Sequence, residues 1–418
     1  VIWGDGNMDI DPVFVNADSG DYHLSDLSPV ISAGTDSVQI DGNWYVAPTT
    51  DIEGNPRPNP SGTLPDMGAY ENENGAGPYY GPVWYVDASS ELPYANGGHG
   101  APFSKIQYGI NAAAAGDTVS VVAGTYLENI NFNGKNIAVI GADRETTIID
   151  GNNNGKVVSI VNAGSGAVLK NFTLQHGYAE FDGSDNLSDD GAGLFIYSSD
   201  PIISNCIIKN NVAEDDGGGV FTNSSPIFRN VIVSKNTGSY GSGMNMISGY
   251  PVLTRCSIVD NFGQGLRLHH GTELTIINSI LYGNTGEQIH FREVDTPSLL
   301  TISYSNLKDG QDSIATNNNG TVTWGDGNID VDPVFVDTAN GNYNLLATSQ
   351  LINAGHPDSL DSDGTVADIG AYPYLNSYSG PTWYITESGN DTTATGASGD
   401  PFRSIQAGIN FSSDADSV

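Results

Sequence analysis

The sequence predicts an all-β chain: a right-handed parallel β-helix with a short N-terminal capping helix, arranged in tandem units. Three observations carry this. From Gly191 to Gly310 one pattern returns, closing at Asn211, Asn236, Asn261 and Asn284, which are 25, 25 and 23 residues apart, with Asp309 a further 25 along. Each copy holds short β-type runs between Gly/Asn corners and is too small to bury its own apolar face, so copies must stack, about 4.8 Å per rung. Finally, two long stretches recur at constant offsets near the chain ends.

Aligning the copies separates inside from outside. Leu194, Val220, Met244, Leu266 and Ile289 share one column, and Ile196, Thr222, Met246, Leu268 and Phe291 a second. The residues between them point outward, as a period of two requires. The Asn column predicts amides bonding from rung to rung, or else turn residues tolerating left-handed geometry; both fit a solenoid. A right-handed coil follows from the bias of parallel crossovers.

The first duplication pairs IWGDGNMDIDPVFV with TWGDGNIDVDPVFV, so that Trp3 matches Trp324 and Gly34 matches Gly355, each 321 apart. The copies then differ in length and rejoin at Asp66–Glu71 and Asp368–Pro373. The second pairs GPVWYVDASS at Gly81 with GPTWYITESG at Gly380, 299 apart, and ends with Val119 against Val418. The expected order is a closing segment over 1–80, a complete unit over 81–380 and an opening segment over 381–418. Within the unit a capping helix is expected at about 102–115, with Ile106, Ile110 and Ala113 on one face and Gly116 as its stop. Rungs follow over about 117–320, interrupted by an acidic loop at 175–190, and then a closing segment over 321–380. Val1 is not an initiator Met, so a longer polypeptide is expected, with units meeting through Tyr79, Tyr80 and Trp84 at one junction and Tyr378 and Trp383 at the other.

The PF…IQ…I…A…GDTV…GTY opening, Pro102 to Tyr126, resembles the start of many bacterial right-handed parallel β-helix proteins. The WGDGNIDVDPVF…GNYNL…INAG…DSDG…DIGAY ending resembles the "choice-of-anchor Q" segment at the ends of such β-helices in secreted bacterial surface proteins. The resemblance implies an extracellular or cell-surface location. It supplies no catalytic residue set.

The 418-residue chain carries 14 Lys+Arg against 49 Asp+Glu, a formal charge of −35. Such a surface repels nucleic acid and anionic membranes and attracts cations. No run of eighteen apolar residues offers a membrane span. Asp326, Asn328, Asp330 and Asp332 alternate oxygen side chains, with Asp361, Asp363 and Asp368 as a second cluster. The other copy has Asp5, Asn7, Asp9 and Asp11, then Asp51, Glu53 and Asp66. Alternating hard oxygens about a Gly turn suit Ca²⁺; the alternative is a set of Asx turns bonding backbone donors. Cys206 and Cys256 fall in one inward column about two rungs apart, roughly 9.6 Å, beyond disulfide reach. Two buried free thiols are expected.

One outward face gathers Phe195, Tyr197 and Phe221 with Arg267, His269, His290 and Arg292. Aromatics and guanidinium groups suit an acidic sugar; the alternative is local ion pairing with Asp260, Glu287 and Glu293. A hydrolase needs facing carboxylates about 5–9.5 Å apart, whereas Asp215 and Asp216 adjoin in sequence at a corner. A lyase needs a base and a cation site, and Arg267 beside Asp260 is the nearest approach. The sequence therefore reads as a structural repeat of a secreted fibre, filament or layer, its partners being neighbouring copies of the same unit. A glycan-binding or adhesive module, with polysaccharide as partner, is the alternative, and a polysaccharide lyase or hydrolase comes third.

Overall fold

The computed structural model describes all residues except 1–10, 26–27, 29, 41, 74–78, 92–94, 181–188 and 294–295. The chain forms two compact units, Val1–Tyr126 and Leu127–Val418. Their border lies inside the stretch read as one complete unit, while 321–380 and 381–418 both fall in the second. Among the described residues no helix is long and apolar enough to cross a membrane.

In the first unit the strands Phe14–Asn16 and Asp21–Leu24 pair antiparallel, as do Ser37–Ile40 and Asn43–Val46. Strands Val83–Val86 and Thr118–Val121 pair in parallel, Val83 opposite Thr118. Helix α1 connects them over Ile106–Ala112. It is shorter than expected because Lys105 and Ala113 are extended, and Gly116, at φ +92°, turns the chain after the helix rather than stopping it. Ile106 and Ile110 are fully buried. A methyl on Gly109 would lie 2.7 Å from Val119 Cγ1, so α1 rests directly on the strand pair.

The second unit is a solenoid of three parallel sheets. The site sheet stacks Val158–Gly164, Leu194–Ser199, Val220–Thr222, Met244–Met246, Leu266–Leu268 and Ile289–Phe291. The back sheet includes Ile202–Ser204, Ile227–Arg229, Val252–Thr254 and Glu273–Ile277. The flank sheet includes Ile207–Lys209, Ile232–Ser234, Ser257–Val259 and Ile280–Tyr282. Leu194, Val220, Met244, Leu266 and Ile289 stand in register, all fully buried, as do Ile196, Thr222, Met246, Leu268 and Phe291. Cys206 and Cys256 are free and buried, and burial raises their thiols to about 11 and about 12.

Two of the corners behave differently. Back strand passes to flank strand through two residues in every regular coil: Asn205–Cys206, Asn230–Val231, Arg255–Cys256 and Asn278–Ser279. Asn205, Asn230, Arg255 and Asn278 all have φ near +50°, which Asn tolerates best among residues with a Cβ. The corner from flank to site sheet instead varies, from the stretch 210–219 to the short 283–288. The amide ladder runs along this second corner. Asn211 Nδ2 donates to Asn236 Oδ1 at 3.0 Å, Asn236 to Asn261 at 3.1 Å and Asn261 to Asn284 at 2.9 Å. Each acceptor oxygen also takes the preceding ladder residue's backbone N–H. The left-handed residues are those one position earlier, Asn210, Lys235 and Asp260. Asp309 does not extend the row; Asn284 turns to Gln288 Oε1 at 2.7 Å, and Asp309 itself sits at φ +60°.

After the last back strand, Gly320–Trp324, the chain folds back along the flank sheet. Tyr343, Leu345, Leu351, Ile352, Ile369 and Ala371 bury the outward Ile207, Ile232, Val259 and Ile280. Gly370 N donates to Asn278 O at 2.9 Å and Ala371 N to Ser257 Oγ at 3.1 Å. Arg255 meets Asp361 at 3.1 Å, and the Arg144 guanidinium lies 3.9 Å from the Tyr372 ring centroid. The closing segment is therefore a side cover.

Residues 381–418 repeat the opening fold. Trp84 Nε1 donates to Asp117 Oδ2 at 2.9 Å, and Trp383 Nε1 to Asp416 Oδ2 at 3.0 Å. Helix α2, Ile405–Phe411, copies α1. Trp383, Ala394, Phe402 and Ala407 pack with Ala347, Tyr374 and Tyr378 of the closing segment. Tyr79 meets Trp84 edge-on in the first unit as Tyr378 meets Trp383 in the second, and Tyr80 is exposed.

Candidate functional site

The outward column of the site sheet runs Phe195, Phe221, Asn245, Arg267, His290. Outward does not mean exposed here. Phe221 and Asn245 are fully buried, and Phe195 and Arg267 are each 8% exposed. The cover is the variable corner, pressed onto the column at Gly191 and Gly217. Both are left-handed, at φ +65° and +67°, and a Cβ would lie 2.9 Å and 3.1 Å from Phe221 Cβ. Only Gly allows that approach at that backbone angle.

The residue before each glycine is an aspartate. Asp216 N donates to Asp190 Oδ1 at 3.2 Å, and Gly191 N returns a bond to Asp216 O at 3.0 Å. Oxygens of Asp190, Asp215 and Asp216 lie within 4.8 Å of one another. Arg267 Nη1 donates to Asp216 Oδ1 at 2.8 Å, and Asn245 Nδ2 to Asp216 Oδ2 at 2.9 Å. Tyr240, in the next coil, covers the guanidinium with its ring centroid 4.1 Å away. His269 is buried against Asn245 Oδ1 at 3.2 Å. Lys156 Nζ sits 3.5 Å from the Phe195 ring centroid.

Desolvation dominates the electrostatics. Burial, then the charges of Asp216 and Asp189, push the Asp190 carboxyl up to about 7. Burial pushes Asp216 up to about 6 against the pull of Arg267. Burial, then Arg267, drive His269 down to about 3, leaving it neutral. Lys156 falls to about 8, through burial opposed by Asp190 and Asp189. Both aspartate carboxyls are thereby raised toward neutrality, and the Asp216 charge opposes ionisation of Asp190. One carboxyl can donate a proton while its neighbour, held by Arg267 and Asn245, accepts one or attacks. The three carboxylates are also the set where a divalent cation would find oxygen ligands, although Arg267 already occupies one side of Asp216.

Sequence reasoning located Arg267, His269, Phe195 and Phe221, set Asp215 and Asp216 aside as neighbours at a corner, and missed Asp190. Arg267 pairs with Asp216 rather than Asp260, whose Oδ2 accepts from Tyr343 at 3.1 Å in the flank cover. Phe195 and Phe221 stack on each other at 5.3 Å; Phe221, with no exposed surface, offers no platform for a sugar. Tyr197 is partly exposed, 6.1 Å from Phe195 between ring centroids. Arg292 Nη1 reaches His269 Nδ1 at 3.5 Å, and His290 Nδ1 lies 3.7 Å from Glu287, while burial holds the His290 pKa below its ordinary value. Asp189-Asp190-Gly191 and Asp215-Asp216-Gly217, 26 residues apart, were the available signal.

The candidate calcium ligands lie elsewhere. Asp5, Asn7 and Asp9 fall outside the described residues. Asp11 and Asp332 each accept a backbone N–H two residues on, at 2.9 Å. Asn328 faces the coil, accepting from Ser305 N and donating to Ile302 O, while Asp326 and Asp330 are exposed. Asp361 accepts from Asp368 N, Asp363 from Thr365 N and Asn376 N, and Asp368 from Asn353 N and Tyr374 N. Burial raises Asp368 to about 7 despite those bonds. Among the described residues, neither run gathers three carboxylates as Asp190, Asp215 and Asp216 do.

Residues 136–336 match the family model of the right-handed beta helix region. No curated protein sequence matches the chain. Similar solved structures include a pectin methylesterase from carrot, at 16% identity and a TM-score of 0.41, covering 62% of this chain and 86% of that one. A pectate lyase matches at 16% and 0.38, covering 70% and 96%. Pectin methylesterase PemA from Erwinia chrysanthemi matches at 12% and 0.34, covering 59% and 81%. At such identities the likeness concerns the fold, and the fold is a right-handed parallel β-helix. The reading as a structural fibre unit is corrected at this point. The similar structures include pectin methylesterases and a pectate lyase, and a buried Asp–Asp–Arg cluster is costly machinery for a rod.

Proposed function

We propose that this chain acts on a polysaccharide at the outer edge of the site sheet, with Asp190 and Asp216 as its proton-transferring pair. One observation carries the reading: two desolvated carboxyls from successive coils, their oxygens within 4.8 Å of each other, with an arginine fixing one of them. A solenoid stacks such groups along a line, which suits an extended polymer. In this reading Arg267 and Asn245 hold Asp216 in its ionised form, and Asp190 keeps its proton near neutrality. Tyr240, 48% exposed beside Arg267, offers a ring face to a sugar. An extracellular location, drawn from the resemblance of the closing segments, belongs to the same proposal.

The test is turnover on pectin, polygalacturonate, alginate and a neutral glucan, with reducing ends, unsaturated products and released methanol all measured. We expect Asp190→Asn and Asp216→Asn each to lower the parent's rate by at least about 100-fold, the usual worth of a positioned acid or base, without unfolding. A parent inert on every polymer and in every readout, or an Asp216→Asn variant as fast as the parent, would overturn the assignment.

A further inference from the structure

The two closing segments share one internal skeleton. Met67 N donates to Val30 O at 3.0 Å as Ile369 N does to Leu351 O. Asp66 caps Ser32 N and Asn72 N, and Asp368 caps Asn353 N and Tyr374 N. Ser28 Oγ bonds Pro12 O as Ser349 Oγ bonds Pro333 O. Gly68 has φ +123° and Gly370 φ +116°. These positions keep the same backbone bonds in both segments, and what differs there is the cover. Tyr343 is 2% exposed against the flank sheet, while its counterpart Tyr22 is 51% exposed. Gly370 and Ala371 are buried there, while Gly68 and Ala69 are exposed. A Cβ at Gly370 would meet Ile280 Cδ1 at 2.6 Å, whereas one at Gly68 meets nothing within 4 Å. In place of the flank there is an apolar groove of about 600 Å³, lined by Phe14, Tyr22, Leu24, Val30 and Met67 among others.

We infer that this groove in the first unit docks the flank of a second β-helical sheet, distinct from the one that the 321–380 segment covers. The occupant is an outward column of β-branched residues broken by a small polar one, of the kind Ile207–Ile232–Ser257–Ile280 presents to the second closing segment. The second segment supplies the template, since the same backbone with the same apolar positions already covers such a column. Ser257 Oγ there accepts the N–H of Ala371, and the docked flank would meet Ala69 in the same way. The inference stands independently of the polysaccharide reading.

The probe is the full chain carrying Tyr343→Asp and Ile369→Asp, which bares its own flank; circular dichroism and proteolysis within 325–374 establish that the coils persist and the cover has lifted. Wild-type chain should bind this probe one to one, at least tenfold more weakly with Tyr22→Asp or Met67→Asp and unchanged with Leu64→Asp. Absence of binding, or binding indifferent to Tyr22→Asp, overturns the inference. So does wild-type self-association that Tyr22→Asp abolishes, which would assign the groove to a second groove. If the double variant does not fold, Ile369→Ala serves, with hydrogen exchange as the readout. Excess wild-type chain should then protect Ile207–Lys209 and Ile232–Ser234, and absent protection overturns it equally.

Discussion

Replacing Arg267 by Met probes the site through its electrostatics. Methionine keeps part of the stem but removes the guanidinium that donates to Asp216 at 2.8 Å and lies over Tyr240. The Asp216 side chain is only 15% exposed, so an ionised carboxylate left there has no solvent to replace the lost partner. Breaking such a pair costs about 3–5 kcal/mol. The cost has a ceiling, because the carboxyl can take up a proton instead. Arg267 holds Asp216 down near 6 against burial; without it the value climbs, at about 1.4 kcal/mol per pH unit. Below pH 6 the carboxyl is protonated in both proteins, and the variant loses only the ring contact, about 0.5–2 kcal/mol. Above pH 6 the parent ionises with its partner in place, while the variant must stay protonated or bear a bare charge. The deficit therefore grows with pH and reaches about 3 kcal/mol by pH 8. Urea unfolding of both proteins at pH 5, 6, 7 and 8, followed by β-sheet circular dichroism, measures it. An equal deficit at pH 5 and pH 8 would refute the reasoning.

Three further outcomes are expected. Asn236→Ala strips the buried Asn211 N–H of its acceptor and removes two ladder amide bonds, so unfolding should be easier by about 2–4 kcal/mol; a loss below about 0.5 kcal/mol would contradict the ladder. Gly370→Ala drives a methyl into Ile280 and should speed protease cleavage within 325–374 at least tenfold, leaving the melting of the coils unchanged. Chelation by EDTA should leave that same cleavage rate unaltered, because the Asp361, Asp363 and Asp368 carboxylates already accept backbone N–H groups; an accelerated cut would show that an ion holds the cover.

Much of the coil was legible because parallel stacking returns each residue to the same place, so the columns through Leu194 and Ile196 could be read by alignment alone. The Asn row was legible too, but its two explanations proved to belong to neighbouring residues: the amides of Asn211, Asn236 and Asn261 bond, and the residue before each turns left-handed. The ends of α1 were not legible, since periodicity does not register that Lys105 is extended. Asp190 escaped because it closes an acidic stretch that interrupts the period and so looked like loop. The burial of Phe221 escaped because alternation gives the direction of a side chain and not what lies over it. Nor does any periodic signal say on which side of the solenoid a closing segment lies down.

The unequal corners of the solenoid divide labour between architecture and chemistry. Where back strand meets flank strand, one residue more or less would rotate every following core side chain to the wrong face, so that hinge has no latitude. Where flank meets site sheet, the amide row clamps the coil before the slack begins, and length can change beyond it without displacing the core. Asp190 and Asp216 both stand on that slack. A lineage of such proteins can therefore lengthen, shorten or exchange the acid-bearing segment coil by coil, as a removable part, while the stack beneath keeps its register.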